Sequence, residues 1–179
     1  SSNRSTVNDK NILRHIGGVA IMATKLVVVV SHGLGQSPSD VDDVASAFAR
    51  DGVAVISFKA TIPYQEWVRL FVEPGRKGRA IDRGDTHSYF ELDIPIPPFD
   101  GRQRCGRIDE TLARMKSEVD AVSTTAPVAL VGYSQGGITS LYAGTWWDRV
   151  EAVVAMHAPF PVDAERGFGA HRPRILMTT

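Results

Sequence analysis

Four short apolar runs, each closed by turn residues, limit what this chain can fold into. They stand in "KLVVVVSHGLG", "GVAVISF", "APVALVGYS" and "VEAVVAMHA". Runs of this length, rich in Val and Ile and ending in glycine or polar residues, read as strands buried on both faces. "RILMTT" supplies a fifth at the end of the sequence. Helical spacing fills the intervals. Ser39 or Asp40 can cap a helix running to about Arg50, with Val41, Val44, Ala45 and Phe48 on one face. A second runs from Glu110 to about Val122 through Leu112, Met115 and Val119, and a third spans Gly137 to Trp146. Strands alternating with helices predict an α/β fold. Its mostly parallel sheet is covered on both faces, with ligands at the carboxyl ends of the strands.

The chain has 179 residues, enough for one domain with a sizeable core. Lys+Arg and Asp+Glu both number 20, so the formal net charge is zero. That balance offers no bulk attraction to nucleic acid or to an anionic membrane. The basic "GRKGR" at Gly75–Arg79 reads as a solvated loop. Lys25 interrupts the longest apolar stretch, from Ile16 to Val30, so stable membrane insertion is not expected. Cys105 is the single cysteine and cannot form an internal disulfide, which fits a reducing, cytoplasmic setting. Residues 1–21 read as a polar, disordered leader ahead of Met22, and residues 22–179 as the domain. Between about 62 and 107 the pattern dissolves into Gly- and Pro-rich sequence, with Tyr64, Trp67, Phe71, Tyr89, Phe90 and Phe99 interspersed. An insert of this length carries function or is disordered.

The chemistry-bearing motif is "GYSQG", centred on Ser134, between a strand-like run and a helix-like run. A serine at a tight strand-to-helix turn exposes its Oγ, and small residues two positions either side avoid clashes. Gln135, the next residue, then offers its backbone N–H to a developing oxyanion at the helix N-terminus. "SHGLG", Ser31–Gly35, follows the first strand and can turn the Leu34 N–H toward the same oxygen. His32 reads as a structural histidine supporting that loop. It precedes the serine, the wrong order for this fold's general base.

"VVVVSHGLGQSPSD" and "VALVGYSQGGITSLYAG" together resemble the acyl-protein thioesterase / phospholipase–carboxylesterase family, with "SYFEL" at Ser88–Leu92 a weaker echo of a third family segment. The resemblance implies an α/β-hydrolase fold and a cofactor-free, metal-free serine hydrolase. The substrate would be a carboxylic ester or thioester, carried by a small molecule or a lipidated protein. Ser134 would be the nucleophile, with Leu34 and Gln135 as oxyanion donors. In this fold the triad order is Ser, then Asp or Glu, then His. The family's acid loop would begin where the sequence stops, at Thr179. The expected fold therefore lacks the C-terminal strand or strands and helix, and with them the triad acid and base. An unpaired sheet edge would favour a homodimer.

Asp163 and His171 stand in the right order to substitute for the acid and base. His157, at a strand end, reads as pocket-lining, and Asp148, Glu151 and Glu165 as surface charges. The alternative function is a catalytically inactive, hydrolase-like module that binds acyl groups or a partner protein.

Overall fold

The computed structural model describes residues 15–16, 19–20, 23–63, 87–92, 105–159 and 172–178. Strands β1 (Leu26–Ser31), β2 (Val53–Phe58), β3 (Val128–Tyr133), β4 (Val150–Met156) and β5 (Arg174–Thr178) are the five runs read from the sequence. They form one sheet in the order β5-β4-β3-β1-β2, with every neighbouring pair parallel. The chain leaves β1 for β2 on one side, then crosses to β3 on the other. The carboxyl ends of β1 and β3 flank this reversal, where an open α/β sheet leaves a crevice.

Val27 to Val30 of β1 are each at most 1% exposed, so both faces of this strand are covered. Burying one such side chain contributes about 1.5–3 kcal/mol. Val27 and Val29 join the core with Leu112, Met115 and Val119 of helix α2 (Ile108–Val122) and Leu141 and Ala143 of α3 (Gln135–Trp146). Val28 and Val30 face the other way, with Val131, Val41 and Ala45. Arg149, at the foot of β4, ties the end of α2 to the sheet. Its Nη1 donates to Asp120 at 2.6 Å, and its Nη2 to the Ser123 and Ala126 carbonyls at 2.7 Å each.

Three boundaries depart from the sequence reading. The first helical stretch opens as a single-turn helix at Pro38–Val41, and the α-helix of this stretch, α1, covers only Asp42–Ser46. Ser37 leads it, with its N–H donating to the Asp40 carboxylate at 2.8 Å. The coil tightens early because Arg50 already accepts the Val53 N–H at 3.0 Å, and Gly52 turns the chain into β2 at φ 78°. Helix α2 begins at Ile108, and α3 at Gln135 directly after the serine.

Within the insert, Ile62–Pro63 pairs antiparallel with His87–Ser88, and Glu91–Leu92 with Cys105–Gly106. Ser88, Tyr89 and Phe90 are fully buried. The expected loss of pattern is corrected for these residues: two aromatic rings entering the core order the backbone around them. Tyr64, Trp67, Phe71 and Phe99 lie outside the described residues. In the leader, the His15–Ile16 backbone pairs with Val19–Ala20 in a two-residue antiparallel ladder.

Candidate active site

Strand β3 ends at Tyr133, and the backbone reverses at Ser134 with φ 52° and ψ −117° before α3 begins. An L-residue avoids this conformation at a cost of about 1–3 kcal/mol, so the surroundings must impose it. They do so by close backbone approach. A Cβ on Gly132 would lie 2.2 Å from the Gly136 carbonyl oxygen, and one on Gly136 would lie 2.3 Å from the His32 oxygen. The Ser134 N–H donates to the Met156 carbonyl at 2.8 Å, and the Ser134 carbonyl accepts the Ile138 N–H at 3.1 Å. The hydroxyl-bearing carbon is thus held half-buried at the lip of the sheet.

The loop after β1 closes on itself. Gln36 Oε1 accepts the Gly33 N–H at 2.6 Å, and Gly35 adopts φ 69°. His32 is fully buried. Its Nε2 accepts the Ala60 N–H at 3.3 Å, so the ring proton sits on Nδ1, which donates to the Gly33 carbonyl at 2.8 Å. Burial holds the His32 pKa below its ordinary value, favouring this neutral form. One ring nitrogen is thus committed to the loop and the other to the chain just beyond β2. Among the described residues, no acceptor takes the Leu34 N–H or the Gln135 N–H. Gln135 opens α3, where backbone donors have no intrahelical partner.

Leu34, Ser134 and Gln135 border one cleft, with Phe90, Ile138 and Pro159 supplying apolar walls. It encloses about 390 Å³, part of it open to solvent. His157 borders the same cleft. It follows β4 at φ 49°, donates its N–H to the Thr178 carbonyl at 2.9 Å, and meets the edge of Tyr133 at 5.6 Å between ring centres. Asp163 and His171 lie outside the described residues, so the structure does not bring them to Ser134 or away from it. Among the described residues, no group of three or more His, Cys, Asp or Glu side chains could hold a metal ion. No described helix is long and apolar enough to cross a membrane.

No protein-family model matches the chain, and no curated protein matches it significantly. Solved structures do. Esterase PE8 superposes with a TM-score of 0.60 at 18% identity, over 87% of this chain and 68% of that one. Arabidopsis thaliana SOBER1 gives 0.59 at 18% identity, over 85% and 72%. Zea mays acyl-protein thioesterase 2 gives 0.56 at 16% identity, over 78% and 59%. The chain has the α/β-hydrolase fold.

Within that α/β-hydrolase fold, the Gln135 side chain makes a contribution that the sequence reading missed. The residue is 4% exposed, and its amide grips the insert. Oε1 accepts the Tyr89 N–H at 3.0 Å, while Nε2 donates to Ser88 Oγ at 2.8 Å and to the Phe90 carbonyl at 3.1 Å. The motif reading assigned Gln135 only its main-chain N–H. The one available signal was "SYFEL", whose partner 46 residues away leaves no periodic trace.

Proposed function

We propose that this chain is a serine hydrolase of carboxylic esters or thioesters, working through an acyl-enzyme on Ser134. The observation that carries this reading is that one apolar cleft is bordered by a strained serine and by Leu34 and Gln135, whose backbone N–H groups have no acceptor among the described residues. Ser134 Oγ adds to the acyl carbon and its proton passes to a base. The carbonyl oxygen gains the negative charge and is met by the Leu34 and Gln135 N–H groups. Charge-directed donors of this kind contribute about 2.7–4 kcal/mol each to the transition state. Collapse of the adduct expels the alcohol or thiol, and water then releases the carboxylic acid and frees the serine. Within the sequence, Asp163 and His171 stand in the order that would let them substitute as acid and base.

The apolar walls from Leu34, Phe90, Ile138 and Pro159 support an acyl chain as the group bound, from a small-molecule ester, a lysophospholipid or a lipidated protein. The fold shared with esterase PE8 and with a maize acyl-protein thioesterase is consistent with this class. A second reading, an acyl-binding module without turnover, is favoured by one observation. Among the described residues, the imidazole bordering the cleft, His157, is not paired with a carboxylate in any recorded hydrogen bond or ion pair.

The two are separated by p-nitrophenyl ester and acyl-thioester hydrolysis, with a fluorophosphonate probe alongside. Rapid labelling and turnover that both vanish in Ser134→Ala support the hydrolase, for which loss of the serine removes on the order of 10⁶ in rate. Turnover that survives the substitution rejects it. Acyl-chain binding with neither labelling nor turnover supports the module.

A further inference from the structure

The proposed oxyanion donors come from two segments far apart in sequence, and their separation must be held to a fraction of an ångström. Close packing of Gly136 on the His32 carbonyl sets only a lower limit, because a steric contact prevents approach but not drift apart. The β1–β3 ladder ties the two segments as far as Ser31 and Gly132, and beyond its end one residue of the insert supplies an attractive tie to both.

The Tyr89 hydroxyl accepts the His32 N–H at 3.0 Å, two residues before Leu34, and donates to the Phe58 carbonyl at 2.8 Å. Its backbone N–H donates to Gln135 Oε1 at 3.0 Å. Its carbonyl accepts the Thr111 hydroxyl of α2 at 2.6 Å. The ring lies 4.8 Å from the His32 ring and 5.8 Å from that of Phe58, between centres. The side chain is fully buried, and burial drives the phenol pKa far upward, so the hydroxyl stays protonated and serves as donor and acceptor together.

We propose that Tyr89 is a positioning residue, bridging the Leu34 loop to the first turn of α3 so that the Leu34 and Gln135 N–H groups address one oxygen atom. This rests on the hydrolase reading above. Tyr89 touches no substrate. It acts through the two donors, and its removal weakens binding of a tetrahedral, oxygen-bearing adduct more than binding of an acyl chain alone.

The test compares two ligands on the full chain by titration calorimetry. Octylboronic acid adds to Ser134 Oγ: one boron–oxygen bond forms, boron becomes tetrahedral and anionic, and the serine proton leaves. Octanol fills the apolar walls and places no anion at the donors. Tyr89→Phe is expected to weaken octylboronic acid by about tenfold to a hundredfold, the range for small misplacement of catalytic groups, with octanol unchanged. Equal weakening of both ligands, or of neither, overturns the positioning role. Should Tyr89→Phe fail to fold, Thr111→Val and Thr111→Ser take its place. Selective loss in the valine variant with recovery in the serine variant supports the proposal, and wild-type behaviour in Thr111→Val overturns it. If wild type and Ser134→Ala bind octylboronic acid alike, the hydrolase reading fails, and the positioning role fails with it.

Discussion

Ser134 donates its N–H to the Met156 carbonyl across the β3–β4 boundary at 2.8 Å. This bond carries the ladder between two parallel strands one residue beyond β3 and into the turn. The strained backbone of the serine is therefore an extension of the sheet, held as firmly as the sheet itself.

Strain at Ser134 makes a directional prediction. Glycine accepts φ 52° without the Cβ conflict, whereas alanine keeps it. Ser134→Gly should be more stable than Ser134→Ala by about 1 kcal/mol. Urea unfolding of the two variants measures this, and equal midpoints would show that the turn stores no strain.

Gly136 should tolerate no side chain. A methyl group there would press on the Ser31 and His32 carbonyl oxygens at 2.5 and 2.3 Å, and both belong to backbone that cannot swing aside. Gly136→Ala is expected to cost about 1–3 kcal/mol, the range for overpacked cores. Its unfolding midpoint should drop accordingly, and a wild-type midpoint contradicts the close approach.

Replacing Gln135 with leucine removes the partner of the buried Tyr89 N–H and one of the two donors to the Phe90 carbonyl, which keeps Ser88 Oγ at 2.9 Å. The orphaned N–H costs about 1–3 kcal/mol. Limited proteolysis should cut between residues 87 and 92 faster in Gln135→Leu than in wild type. Identical digestion patterns would mean the insert is anchored by other contacts.

His32 should make stability depend on pH. Its folded pKa lies below the ordinary 6.5 because of burial, so the unfolded chain binds the proton more readily. The resulting stabilisation is complete above about pH 6.5. It declines as pH falls through and below that value, by at most about 1.4 kcal/mol per pH unit. The stability gap between wild type and His32→Gln should therefore be wider at pH 7.5 than at pH 5.5. A constant gap would indicate that His32 takes up its proton equally well folded and unfolded.

The five strands and the serine turn were legible in the sequence because each is a local property. Val27 to Val30 form a strand buried on both sides. Gly132 and Gly136 flank Ser134 at the spacing that lets one backbone pass close to another. The end of α1 was misjudged because Val44, Ala45 and Phe48 keep a helical rhythm up to the point where Gly52 turns the chain. That rhythm does not register where the turn must begin.

Only the tertiary structure decided how the cleft is held together. Burial favours the neutral form of His32, and its tautomer is set by Ala60 donating to one ring nitrogen and Gly33 accepting from the other. Tyr89 reaches His32 across 57 residues, and Gln135 across 46. Periodicity records which face of an element is buried, and motif spacing records the path of the backbone. Neither encodes which distant polar groups meet inside the core, where a buried donor without a partner costs more than most packing contacts contribute.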